Sequence, residues 1–291
     1  MRLNFPKRAA LVGAALFFFQ GSLAVSAENK SKKAETSKDI IEKAYNLSLQ
    51  KDRSQATNIL VNAIKQEIAR NGNTTELKKA LQQVAYLFYS DRAQQAYELG
   101  LSVRRTDPHQ ALQKMNEALR IENDNRTLFN EVQRMVLIKG DCSGALESIT
   151  KERLQDPFDE NLILLQAQAQ ACLNQWEDFK KTRELLDTKK SNHAKFWQSL
   201  DIEFAVYEKN LVKAKELVLA LLKLDEKYPE LHYWQWRLAS GAERPPLAQK
   251  YVKECKNMSA TLYRQYMTDT NLCRRVAEVD AAAKNTNGTH E

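Results

Sequence analysis

Glycine and proline are scarce in this chain, with eight and six residues among 291. A protein of many short strands needs such residues at its chain reversals, so their poverty argues against a sandwich or a barrel. Reaction motifs are missing too. No glycine-rich loop ends in Lys-Ser or Lys-Thr, and no Gly-x-Ser-x-Gly elbow presents a serine. The four histidines, His109, His193, His232 and His290, are scattered, and neither Cys-x-x-Cys nor His-Glu-x-x-His occurs. No metal and no cofactor is therefore expected. Asp201 and Glu203, like Glu177 and Asp178, are neighbouring carboxylates on an ordinary charged helix surface. Nothing gathers an acid, a base and a substrate pocket, and the chain reads as a non-enzyme.

Charge is not concentrated. The formal net charge is +7, and the first 27 residues hold three of the basic side chains and no acid. Beyond them the excess is mild and spread out, apart from Lys30-Ser31-Lys32-Lys33. A nucleic-acid binder needs a clustered basic stripe with stacking or base-reading residues, so nucleic acid is not an expected partner.

Long apolar runs are missing except for one, Ala9 to Phe19, which follows Arg2, Lys7 and Arg8. Gln20-Gly21-Ser22 interrupts it short of the roughly 20 apolar residues that a membrane helix requires. Val25-Ser26-Ala27 then offers small side chains at the two positions a signal peptidase reads. Residues 1–27 are thus expected to be a signal peptide of bacterial type, cleaved near Ala27. The mature protein is expected in the periplasm or secreted, without a transmembrane segment. Residues 28–36 and 285–291 are nearly devoid of apolar side chains and read as disordered tails around a helical domain over 37–284.

What the sequence has in plenty is helix-forming Ala, Leu, Lys, Glu and Gln. Small residues recur among them at one fixed period. Ala111, Ala145, Ala214 and Ala248 form a row, with Phe179 in the middle slot, at steps of 34 or 35 residues. That is the length of a helical hairpin. Such a unit cannot bury its apolar face alone, so neighbours stack into a solenoid.

Local signals mark the hairpins. Thr36 to Asp39 has the form of a capping box. Ile40, Ala44 and Leu47 share one face, and Ala56, Leu60 and Ala63 share another beyond a polar turn at 51–54. Asn73 reads as the N-cap of a helix over 74–89. Asp107-Pro108 and Asp156-Pro157 each read as a capping carboxylate before a first-turn proline. Arg244-Pro245-Pro246 reads as another helix start, and Gly140 and Gly241 as helix ends.

On these residues the chain resembles the tetratricopeptide repeat family. Ala44, Ala56, Leu60 and Ala63 match the small, small, bulky and small positions of one repeat. Ala145, Ile149 and Pro157 match the second helix and closing proline of another; Ala111, Met115 and Ala118 match again, and Ala214, Val218 and Leu221 more loosely. The likeness extends over about 37–257. It implies an all-α fold, a right-handed superhelix of stacked antiparallel helix pairs. Departures are Glu152 at a small position, Arg183 at a bulky one and Trp236 at a small one. The stretch from Thr74 to Thr106 breaks the alternation, as one long helix or as an inserted helix with a break near Asp91.

In this family the first helix of each pair faces a concave groove. Carried over, the groove positions hold Asn130, Arg134, Asn161, Gln168, Phe196, Glu203, Tyr207, Tyr233 and Arg237. Trp197 and Trp234 fall off that face and are expected in the core. Arginine and tyrosine dominate binding hot spots, so Arg134, Tyr207, Tyr233 and Arg237 are the expected anchors for a partner protein or extended peptide.

Cys142, Cys172, Cys255 and Cys273 allow three pairings. Cys142 opens one helix and Cys172 closes the next, at ends that antiparallel packing brings together. The remaining pair, Cys255 and Cys273, requires a bend near 268–271, since a straight helix from Ser259 would carry Cys273 about 21 Å away. A reduced core thiol at Cys255 is the alternative. The expected function is a non-catalytic scaffold of the bacterial envelope. The alternative is a helical, cell-wall-engaging component of a murein-processing enzyme system.

Overall fold

The computed structural model describes residues 35–287, with side chains to residue 284; the expected signal peptide lies outside the described residues. Among the described residues, 36–287 form one compact unit. Its helices are α1 (Ser37–Leu49), α2 (Arg53–Ala69), α3 (Thr75–Tyr86), α4 (Asp91–Val103), α5 (Pro108–Ile121), α6 (Arg126–Ile138), α7 (Cys142–Gln155) and α8 (Glu160–Cys172). There follow α9 (Trp176–Arg183), α10 (Ala194–Tyr207), α11 (Leu211–Leu224), α12 (Pro229–Leu238), α13 (Arg244–Lys256), α14 (Ala260–Tyr266) and α15 (Val276–Asn287). No strand occurs among the described residues, and no described helix is long and apolar enough to cross a membrane.

Short turns explain how the hairpins form with so little glycine. After α1, α2, α8 and α10 the chain reverses through Lys51, Asn71, Asn174 and Lys209, all in the left-handed region; after α6 it uses Gly140. In each case the following N–H bonds back to the helix it leaves, as Asp52 does to Leu47 and Asn210 to Ala205. Four of those following residues, Asp52, Asp141, Gln175 and Asn210, are also the N-caps of the next helix. One residue thus closes a helix and opens another, which fixes the tight antiparallel pairing.

Helices pair in succession: α1 with α2, α4 with α5, α6 with α7, α8 with α9, α10 with α11, and α12 with α13. The first helices also touch along the array, α6 on α8, α8 on α10 and α10 on α12. The fold is an all-α, tetratricopeptide-repeat-like solenoid. The 34-residue row is its seam, since Ala111, Ala145, Phe179, Ala214 and Ala248 are all fully buried. Ala44 and Ala56 are buried likewise, where small side chains let two backbones approach. Trp197 and Trp234 lie in the core as expected.

Several local readings need correction. The expected helix over 74–89 stops at Tyr86, and α4 starts after Ser90, whose hydroxyl accepts from the N–H of Ala93. The break is real, and α3 is the inserted element: it packs on α1 and α2 and reaches α6. Asp156 does not start a helix; it is the C-cap of α7, and Asp159 caps α8. Gly241 opens a short 3-10 turn between α12 and α13. The last helix runs to Asn287, so the boundary read at 284 falls inside it.

The departures from the repeat pattern are met by partners. Glu152 takes Arg126 at 2.7 Å, and Arg183 makes a two-pronged pair with Asp201 at 2.5 and 2.8 Å. Trp236 lies under the Arg244 guanidinium, 4.7 Å from its ring centre. Disulfides join Cys142 to Cys172 and Cys255 to Cys273, with Cα atoms 6.2 and 5.6 Å apart. The second needs the expected bend, which the irregular segment 267–275 provides.

Candidate functional site

The first helices of the pairs present a polar face, and most of it is turned inward. Asn130, Arg134, Gln168 and Tyr233 are buried, Glu203 is half-buried, and Phe196 belongs to the core. Of the residues expected at the groove, Tyr207 (57% exposed) and Arg237 stand open to solvent. Two internal neighbours, α3 and the segment 267–275, engage Asn130, Asn161, Gln168, Glu203 and Tyr233.

Tyr86 at the end of α3 is the hub of the first cover. Its hydroxyl donates to the Asp159 carboxylate, 2.8 and 2.9 Å from the two oxygens. It accepts from the amides of Asn130 at 3.0 Å and Asn161 at 2.8 Å. Asn161 in turn accepts from Arg134 at 3.0 Å, and Arg134 pairs with Glu131. Glu131 takes a second guanidinium, Arg104, at 2.5 Å. Burial and then the Asp159 charge push the Tyr86 hydroxyl far above its ordinary range, so it is a fixed donor here. Arg134 is therefore held by Glu131 and Asn161, with its buried Nε unpartnered, and is not a free fork for a partner carboxylate.

The segment 267–275 is the second cover. Arg104 donates to the carbonyl of Met267 at 2.7 Å, and Gln168 to that of Thr268 at 3.1 Å. The buried Tyr228 hydroxyl donates to Asp269, and the Cys273 N–H donates to Glu230 at 2.7 Å. Arg275 reaches Glu230 at 3.3 Å and Glu203 at 3.2 Å, 4.4 Å from the ring centre of Tyr233. Burial raises the carboxyls of Glu230 and Glu203, and Arg275 opposes this in both. The face that the sequence led us to expect open is partly covered by the chain itself. The clue was the Cys255–Cys273 pairing, which obliges the chain to turn back.

A cavity that sequence reasoning missed lies beside Tyr86, with a volume of about 310 Å³. Lys78, Tyr86, Asp156, Phe158, Asn161 and His193 are among its walls. Burial, then the charge of Asp159, pushes the Asp156 carboxyl up to about 6. Burial, then the nearby Arg134 charge, brings His193 down to about 4. At neutral pH the cavity thus holds an ionised, poorly solvated Asp156 beside an uncharged imidazole.

Because the folded protein binds the Asp156 proton more tightly than the unfolded chain does, stability is lost as pH rises from about 4 through about 6. Asp156→Asn keeps the acceptor for the Phe158 N–H, 3.1 Å away, and removes the charge. It is expected to raise the melting temperature at pH 7.5 by roughly 5 °C, on the order of 2 kcal/mol, with little change near pH 4. Thermal unfolding of both proteins at the two pH values checks this; an equal shift at both would reject the charge as the cause.

Among the described residues, Glu230, Cys255 and Cys273 alone group potential metal ligands closely, and the two cysteines are bonded to each other. No protein-family model matches the chain. No curated protein matches it. Among solved structures, a tetratricopeptide repeat protein from Parabacteroides merdae ATCC 43184 is similar over 87% of this chain and 93% of its own. The identity is 16% and the TM-score 0.43. By its own helix order and packing, this chain is an all-α solenoid of consecutive antiparallel helix pairs.

Proposed function

We propose that this protein is a non-catalytic, exported scaffold of the bacterial envelope that binds a partner protein or peptide at the edge of its concave face. The observation that carries this reading is the contrast along one face. Asn130, Arg134, Gln168, Glu203 and Tyr233 are engaged internally, while Tyr207 and Arg237 are exposed. These two stand near the C-terminal ends of α10 and α12, which are adjacent first helices. Tyr207 leans on Trp176 with ring centres 5.3 Å apart, so its exposed ring is already positioned. A rigid aromatic and a planar guanidinium are efficient anchors because little freedom is lost on contact. The two disulfides support an oxidising compartment.

Capture of a partner from envelope extract, repeated with Tyr207→Ala and Arg237→Ala, tests the reading. Each variant is expected to weaken capture by at least about 1 kcal/mol, near fivefold, with the melting temperature unchanged. Unchanged capture by both would remove the proposed edge. Hydrolysis of purified murein by the protein would instead favour a murein-processing role.

A further inference from the structure

Arg275 occupies a site whose composition is that of a ligand pocket. Its guanidinium reaches two carboxylates, Glu203 and Glu230, at 3.2 and 3.3 Å. Two aromatic faces, Tyr233 and Trp234, stand 4.4 and 5.3 Å from it. Glu230 is wholly buried and Glu203 half-buried, so both carboxylates turn to a cation placed between them. A planar guanidinium suits it better than an ammonium, because it bonds sideways to carboxylates while its face lies against rings.

The occupant belongs to a segment kept in place by anchors and not by regular structure. Residues 267–275 form turns, and Cys273 stands at a φ of 58°, a left-handed conformation that strains a non-glycine residue. The Cys255–Cys273 bridge fastens the segment to α13 two residues before Arg275. A cavity of about 550 Å³ opens beside this bridge.

We propose that the pocket of Glu203, Glu230, Tyr233 and Trp234 is an arginine-recognition site, filled here by the chain's own Arg275. An arginine-bearing peptide segment of a partner takes it when residues 267–275 disengage. A dithiol reductant frees the segment by exchange. Its two sulfurs join, while Cys255 and Cys273 take up the two electrons and two protons and part as thiols. This inference rests on the proposed binding at the concave face and names the chemistry of its deeper part.

The test uses a variant with Cys255→Ser, Cys273→Ser and Arg275→Ala, and a synthetic nonapeptide of residues 268–276 with serine at the Cys273 position. Helicity is checked first by circular dichroism, and binding is then read from tryptophan fluorescence. The peptide is expected to bind at least tenfold more tightly than one with lysine at the Arg275 position, and not to bind the wild-type protein. A second variant, Arg275→Ala with both bridges intact, is titrated with millimolar ethylguanidinium or propylammonium at equal ionic strength. Only the first is expected to raise its melting temperature. Equal response to the two cations, or no arginine preference in a folded triple variant, overturns the proposal. If these fail while capture remains sensitive to Tyr207→Ala, the scaffold reading stands and this inference alone falls. If the peptide binds but capture ignores Tyr207 and Arg237, the edge proposed above is wrong.

Discussion

Replacing Glu131 with alanine is expected to lower stability by about 4 kcal/mol, or roughly 10 °C in melting temperature. Glu131 is the single carboxylate between two buried guanidiniums, Arg104 and Arg134, and its side chain is 3% exposed. Removing it leaves two positive charges facing each other where water cannot screen them. Arg104 keeps the Met267 carbonyl and Arg134 keeps Asn161, but both of those acceptors are neutral. Glu131→Gln preserves shape and one acceptor, so it should recover part of the loss and separate charge from packing. Chemical denaturation of the two variants decides the matter. A loss below about 1 kcal/mol would mean that the pairs behave as screened surface bridges.

Arg53→Met is expected to cost about 3 kcal/mol at pH 7 and much less at pH 4. Arg53 is fully buried, lies 4.2 Å from the Tyr89 ring centre and holds Glu122 at 2.7 Å. Burial alone would raise the Glu122 carboxyl. Arg53, Asn125 and the backbone N–H groups of Tyr89 and Ser90 outweigh it and hold the group below its ordinary value. The stabilisation is full above the ordinary carboxylate value and is lost as pH falls from there through the lowered folded value. Methionine conserves much of the apolar contact, so the deficit should follow ionisation of Glu122. Denaturation at the two pH values measures it, and equal deficits would point to lost packing against Tyr89.

The repeat architecture was legible because its signal is local and steric. Only a small side chain fits where two helix backbones touch, and Ala111, Ala145, Ala214 and Ala248 are all fully buried. The Cys142–Cys172 register followed from the same spacing. Asp156 misled because an Asp-Pro pair has the form of an N-cap; the turn between pairs instead uses a C-cap acid, as Glu122 and Asp225 also do. Which positions of the first helices are covered was not legible. Whether Gln168 meets solvent depends on Thr268, a hundred residues away, and no periodicity records that. Tyr207 and Arg237 lie near helix ends and are exposed.

Bonds that run from the end of α4 to the far end of the array change how this chain must fold. Repeat arrays ordinarily hold neighbour contacts alone, fray from their ends and assemble quickly from nearby pieces. Here Arg104 and Arg105 hold the carbonyls of Cys255, Met258 and Met267 across 150 to 163 residues. Those contacts form only after the intervening pairs are in place, so they come late and their loop-closure cost slows the last step. Once made, they link the opening of α13 and α14 to the opening of α4, and the last helices unfold with the array instead of before it.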